Sequence, residues 1–151
     1  MIKQLDNSNE HIAKQIFNTF QRSYKIEAQL IGVLDFPPLQ RSAEQIKSSK
    51  TLFYGYYEHS CLAAVVETVL ENRHLEIHSL TVDPDHFRKG LANKLLRHVL
   101  TNFDFSEAIV ETAVVNTPAI NLYKKHGFVE FKRWTPSHGI QKLAMSIDSD
   151  F

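Results

Sequence analysis

A chain of 151 residues, 43% hydrophobic and 23% charged, has the size and composition of one soluble globular domain with a substantial core, spanning 1–151. Seventeen Lys and Arg balance seventeen Asp and Glu, so no global field recruits nucleic acid or an anionic membrane surface. The longest apolar run, Cys61 to Val66, is too short to span a bilayer, and Met1 to Asn7 lacks the apolar core of a signal peptide. The expectation is a cytoplasmic protein without membrane or nucleic-acid partners. The single Cys61 excludes an internal disulfide and is expected as a small buried residue in an apolar strand.

Met1 to Leu5 alternates weakly and predicts a short first strand. Asn7 or Ser8 is placed to cap a helix whose Ile12, Ile16, Phe17, Phe20 and Tyr24 share a face. Ile26 to Leu34 can continue that helix until Asp35-Phe36-Pro37-Pro38 breaks it. Ser42-Ala43-Glu44-Gln45 has capping-box spacing for a short second helix. The apolar loop between the helices suits either simple packing over a sheet or one wall of a substrate pocket. From Thr51 the pattern turns extended: Thr51–Tyr57 and Cys61–Leu70 predict a hairpin, and His74–Val82 the next strand. Leu91, Leu95, Leu96, Val99, Leu100 and Phe103 then follow helical spacing. Ala108–Val115 predicts a buried strand. Thr117 can cap a short helix with Pro118 at its first position and Gly127 just past its end. Phe128–Trp134 and Ile140–Ile147 close the chain as a hairpin. The predicted fold is α/β: a mixed, mostly antiparallel central sheet with flanking helices, in the order strand, two helices, three strands, helix, strand, helix, two strands.

The stretch Leu80-Thr81-Val82-Asp83-Pro84 to Arg88-Lys89-Gly90-Leu91-Ala92 joins a strand to a helix N-terminus. Unpartnered amides and the helix dipole favour an anion there. Gly90 permits a positive φ and close approach. Further along, Asn116, Ala119, Leu122, Tyr123, Lys125, Gly127 and Phe128 form a second cluster in fixed order.

In these two segments the chain resembles the GCN5-related N-acetyltransferase (GNAT) superfamily of acyl-CoA-dependent amine acyltransferases. The first is similar to its pyrophosphate-binding motif and the second to its asparagine-to-tyrosine-to-glycine-phenylalanine motif. Phe87 departs from the pattern, which expects glutamine or arginine three residues before Gly90, so Phe87 can join the loop only through its backbone. The resemblance implies that the strand before the loop splays from the strand after the central helix, and that the pantetheine arm of acetyl-CoA fills the gap. Leu80 and Val82, with Thr81 between them, would offer backbone groups to that arm. The amides of Arg88, Lys89, Gly90, Leu91 and Ala92 would hold the diphosphate, with Phe87 opening the loop. Asn116 would bond the pantetheine. Lys124 and Lys125 are candidates for the nucleotide end.

Acetyl transfer from a thioester needs a neutral amine and a proton for the departing thiolate. Tyr123 is the candidate general acid, since a phenol is protonated at neutral pH. His78 is the candidate base, with Glu76, Glu111 or a water relay as alternatives. The other histidines show no ligand spacing, so no metal is expected. Trp134 is a candidate cover for the acceptor pocket or a dimer contact, and edge strands in the last hairpin are compatible with a homodimer. The implied activity is acetyl transfer to a primary amine of a small molecule or peptide. The alternative is a non-catalytic acyl-CoA-binding module or a protein-interaction domain on the same fold.

Overall fold

The computed structural model describes residues 1–149. Seven strands form one sheet: β1 (Ile2–Leu5), β2 (Leu52–Glu58), β3 (Cys61–Glu71), β4 (His74–Val82), β5 (Glu107–Ala113), β6 (Val129–Trp134) and β7 (Lys142–Asp148), in the order β1-β2-β3-β4-β5-β7-β6. Every neighbouring pair is antiparallel except β4 and β5, which the helical crossover between them makes parallel. The helices are α1 (Glu10–Ile31), α2 (Ala43–Ser48), α3 (Leu91–Asn102) and α4 (Thr117–Lys125).

The sheet is covered on both faces. Ala13, Ile16 and Phe20 of α1 and Ile46 of α2 pack on Leu5, Phe53, Leu62 and Val65. On the other face Leu91, Leu95, Leu96 and Val99 of α3, with Tyr123 of α4, pack on Val66, Leu75, Ile77, Val110 and Met145. Both helical stripes follow from the spacing of apolar residues along the chain. The turn between β3 and β4 is two residues, Asn72 and Arg73, both at positive φ, 51° and 62°, as the twist of a tight hairpin demands.

Several local expectations shift. Asn9, not Asn7 or Ser8, caps α1 by accepting from the Ile12 amide at 3.1 Å. Asn7 instead donates to the carbonyls of Ile46 and Ser49 and ties α2 to the first turn of the chain. Ser42 and Gln45 do form the reciprocal capping box. β5 stops at Ala113, so Val115 lies beyond the sheet and is 56% exposed. Asn116 takes the cap position of α4 expected of Thr117, which moves Pro118 to the second helical residue. Cys61 is exposed, because it opens β3 directly after the turn rather than lying inside the strand.

The feature that positions the site is an irregularity in β4. Glu67 pairs with Ser79 and Thr68 with Ile77, which leaves His78 as an extra, unpaired residue. Such a bulge reverses the alternation of side chains beyond it. Leu75 and Ile77 face α3, and past the bulge so do Leu80 and Val82, which strict alternation would have sent to the opposite face.

Candidate active site

The bulge coincides with a split in the sheet. β4 and β5 are paired from His74–Glu107 to Ile77–Val110 and no further, so residues 79–82 have a ladder partner on only one side. The Asp83 amide donates to the Ala63 carbonyl at 2.8 Å. By alternation, the backbone of Thr81 faces β3 as well, whereas the N–H and C=O groups of Leu80 and Val82 face the gap. Thr81 is therefore turned away from the gap: its backbone belongs to the β3 ladder and its side chain is 2% exposed.

At the far end of the gap lies the N-terminus of α3. Gly90 precedes it at φ 74° with no side-chain cap, and the first intrahelical bond runs from the Lys94 amide to the Gly90 carbonyl. The amides of Leu91, Ala92 and Asn93 are thus the orphan donors of the helix. A Cβ on Gly90 would meet nothing within 4 Å, so the space above it is open and glycine serves the left-handed φ. Arg88, at φ 66°, is left-handed without being glycine. The side chains here are mostly committed elsewhere. Leu91 is buried in the core, Phe87 lies on the surface, and Lys89 Nζ bonds Glu58 Oε1 at 3.0 Å and His86 Nδ1 at 3.1 Å. What the loop offers an anion is backbone, with the exposed Arg88 beside it.

At the near end is a cavity of about 440 Å³, lined from both strands, from α1, from α4 and from the 36–41 loop. Tyr123 enters it from α4. Its ring is 5% exposed and packs edge-on against Phe128 with centroids 5.6 Å apart. Burial, and after it the charge of Glu27, pushes the phenol above its ordinary pKa, so the group is protonated at any physiological pH. Asn116 also lines the cavity while its Oδ1 accepts from the Ala119 amide at 3.4 Å. His78 borders the same cavity, half-exposed, with Nε2 2.9 Å from Glu76 Oε1. Glu111 lies on the cavity wall with its Oε1 3.2 Å from Lys142 Nζ. Trp134 does not line the cavity: it is occupied by Lys132 and Lys142 over its ring, and the residues of the last hairpin that reach the cavity are His138, Ile140 and Lys142. Leu80, Asn116, Tyr123 and His78 are therefore brought together around one space. The α3 loop lies at the other end of the same gap.

Two acidic residues of the cleft escaped the sequence reading. Glu67, 2% exposed on β3, receives both guanidinium arms of Arg41 at 2.7 and 2.9 Å, the Thr51 hydroxyl at 2.7 Å and the Ser79 hydroxyl at 3.2 Å. Burial opposes its ionisation, but these donors outweigh burial and hold the carboxyl below its usual range. Arg41 thereby pins the 36–41 loop beside the split. Glu27 differs. It projects from α1 into the cavity and has no ion-pair partner among the described residues, and burial pushes its carboxyl above the usual range despite the Asn116 amide and Lys142. One signal was present in the sequence: Glu27 falls three residues after Tyr24 and seven after Phe20, where a charge interrupts the apolar face of α1. Among the described residues, no group of three or more His, Cys, Asp or Glu is arranged to hold a metal, and no helix is long and apolar enough to cross a membrane.

Comparison with known proteins matches this geometry. The family model described as Acetyltransferase (GNAT) family matches residues 13–128. UPF0157 protein YqkA of Bacillus subtilis (strain 168) is 33% identical over 141 residues, which cover 93% of this chain and 41% of that protein. The chain thus spans about two fifths of that relative's length. The uncharacterized N-acetyltransferase YedL of Escherichia coli (strain K12) is 27% identical over 109 residues, 66% of this chain and 69% of that one. Among solved structures, the ribosomal-protein-S18-alanine N-acetyltransferase from Escherichia coli superposes with a TM-score of 0.79 at 20% identity, covering 100% of this chain and 94% of that chain. The PaiA N-acetyltransferase from Thermoplasma acidophilum, in complex with coenzyme A, gives 0.76 at 16% identity over 98% of each. At such identities these two establish the fold. The split sheet, the open helix N-terminus and the family match over residues 13–128 lead to one conclusion: the chain belongs to the GCN5-related N-acetyltransferase (GNAT) family.

Proposed function

We propose that the chain is an acetyl-CoA-dependent N-acetyltransferase that moves the acetyl group to a primary amine by direct attack, with both substrates held in one cleft. The observation that carries this reading is the split between β4 and β5, which leaves the inner edge of Leu80 and Val82 unpaired between the α3 loop and the Tyr123 cavity.

In this reading an extended chain with two amides completes the ladder at Leu80 and Val82, as an added strand would. Its diphosphate rests on the loop from Phe87 through Arg88, Lys89, Gly90 and Leu91 to Ala92, with the helix dipole behind it. Asn116, whose Oδ1 caps α4 and whose amide lies against Glu27, borders the same arm. Thr81 contributes by fixing its strand to β3 and not by contact. The thioester then projects into the cavity beside Tyr123.

His78, half-exposed at the bulge and hydrogen-bonded to Glu76, takes the proton that the ammonium must lose before it attacks. The amine nitrogen bonds to the acetyl carbon and the carbon-sulfur bond breaks. Tyr123 gives its proton to the leaving sulfur and is reprotonated by the second proton released from the nitrogen. Because burial weakens the phenol as an acid, the two transfers are coupled and no free phenolate accumulates. Holding both reactants in place supplies most of the remaining acceleration.

The test is calorimetric titration with acetyl-CoA and desulfo-CoA, for the wild type and for Gly90→Glu, followed by a screen of amines for thiol release. Binding that Gly90→Glu abolishes, together with turnover that Tyr123→Phe lowers, supports acyl transfer. Retained affinity with turnover indifferent to Tyr123→Phe favours a binding module. No binding by the folded wild type removes the reading.

A further inference from the structure

We infer that Glu27 sets the acceptor class: it holds an ammonium group, so the acceptor is a small cationic amine that carries no carboxylate near its amino groups. This rests on the preceding reading of the cavity as the acceptor's end of the cleft.

Two carboxylates, Glu27 and Glu111, and two cations, Arg41 and Lys142, line the cavity. Lys142 is bonded to Glu111 at 3.2 Å. Arg41 is saturated by Glu67, which sits behind it and takes both guanidinium arms. Three carboxylates therefore face two cations, and the surplus negative charge falls on Glu27. Arg41 is engaged by Glu67, and Lys142, bonded to Glu111, acts on Glu27 only through space, so an acceptor carboxylate would compete with acidic partners already in place.

Position and burial turn that surplus into recognition. Glu27 shares the cavity with Tyr123 and Asn116, and its charge is felt by both Tyr24 and Tyr123. Glu27 lines the cavity, and among the described residues its carboxylate has no ion-pair partner. On a partly dried wall the charged form of a carboxylate is favoured by a cation that replaces its lost water. Tyr24 and Phe36, edge-on to one another at 5.8 Å, stand on the same side. Their rings give the methylene stem of an alkyl amine an apolar surface and its ammonium a favourable π face. An acceptor with a carboxylate would instead face Glu27 with like charge.

The experiment compares two probes of matched length, 1,4-diaminobutane and 4-aminobutyrate, which differ in ammonium against carboxylate at one end. Each is titrated calorimetrically into the wild type and into Glu27→Gln, with desulfo-CoA present, and acetyl-CoA is titrated in parallel. A charge-assisted contact predicts that the wild type prefers the diamine by about tenfold or more, and that Glu27→Gln brings the two within about twofold. Equal affinities in the wild type, preference for 4-aminobutyrate, binding of neither, or a diamine preference that survives Glu27→Gln overturns the inference. The comparison within the wild type needs no variant, so a poorly folded Glu27→Gln cannot shelter it. Failure of the acyl-transfer reading looks different: acetyl-CoA does not bind, while the diamine preference stands and still depends on Glu27.

Discussion

The two halves of β4 are built from one strand and do opposite things. From His74 to Ile77 the strand is paired on both sides, and its Leu75 and Ile77 are sealed in the core. From Ser79 to Val82 it is paired only with β3, and its other edge presents backbone groups to a gap. A buried polar edge without partners costs free energy. The first half is thus stability, and the second half is affinity held in reserve for a ligand that can act as a strand. The difference begins at a single residue, His78, whose insertion as a bulge both ends the parallel pairing and re-aims Leu80 and Val82.

That division can be broken on either side. The largest effect is expected at the clamp beside the bulge, where Glu67 pairs with Ser79 across the ladder. Arg41→Ala leaves a carboxylate 2% exposed without its cation, and should cost about 3–5 kcal/mol in urea unfolding at pH 7. Since Glu67 is held below its usual range in the fold, its contribution is present above the unfolded carboxyl pKa and lost as pH falls through the folded value. The gap between wild type and Arg41→Ala should accordingly narrow below about pH 4. Next comes Thr81→Pro, which deletes an N–H turned toward β3 and should cost about 3 kcal/mol. Tyr123→Phe should leave stability and acetyl-CoA affinity nearly intact while lowering kcat about a hundredfold in thiol-release assays. The smallest effect is expected on the gap side of the strand. Leu80→Pro deletes an N–H turned to the gap, so it should weaken desulfo-CoA binding about tenfold and destabilise the fold less than Thr81→Pro does.

Much of this was legible in the sequence, for physical reasons. Hydrophobic period set the helices, the capping box at Ser42 and Gln45 was reciprocal as written, and the order of elements followed from the alternation of strand and helix patterns. The positive φ of Gly90 was legible, because glycine suits a left-handed position just before a helix. The bulge was not. His78 carries no mark of one, and strict alternation would send Leu80 to the opposite face. The ends of elements also slipped: Cys61 and Val115 read as buried, yet Cys61 is the exposed first residue of β3 and Val115 lies two residues past the end of β5. Arg41, Glu67 and Ser79 are 12 to 38 residues apart and meet only through the pairing of β3 with β4 and the folding of a loop onto it. Local sequence carries no record of such meetings. Glu27 lay in plain view as a charge on an apolar stripe, but only the cavity gives that position its meaning.

The central claim is that the edge of Leu80 and Val82 waits for a ligand strand. Amide hydrogen exchange at single-residue resolution, with and without saturating desulfo-CoA, tests it directly. Exchange at Leu80 and Val82 should slow by about tenfold or more on binding, while Leu75 and Ile77, already paired on both sides, change little beyond any global stabilisation. Binding that protects other segments and leaves Leu80 and Val82 exchanging as before would contradict the account.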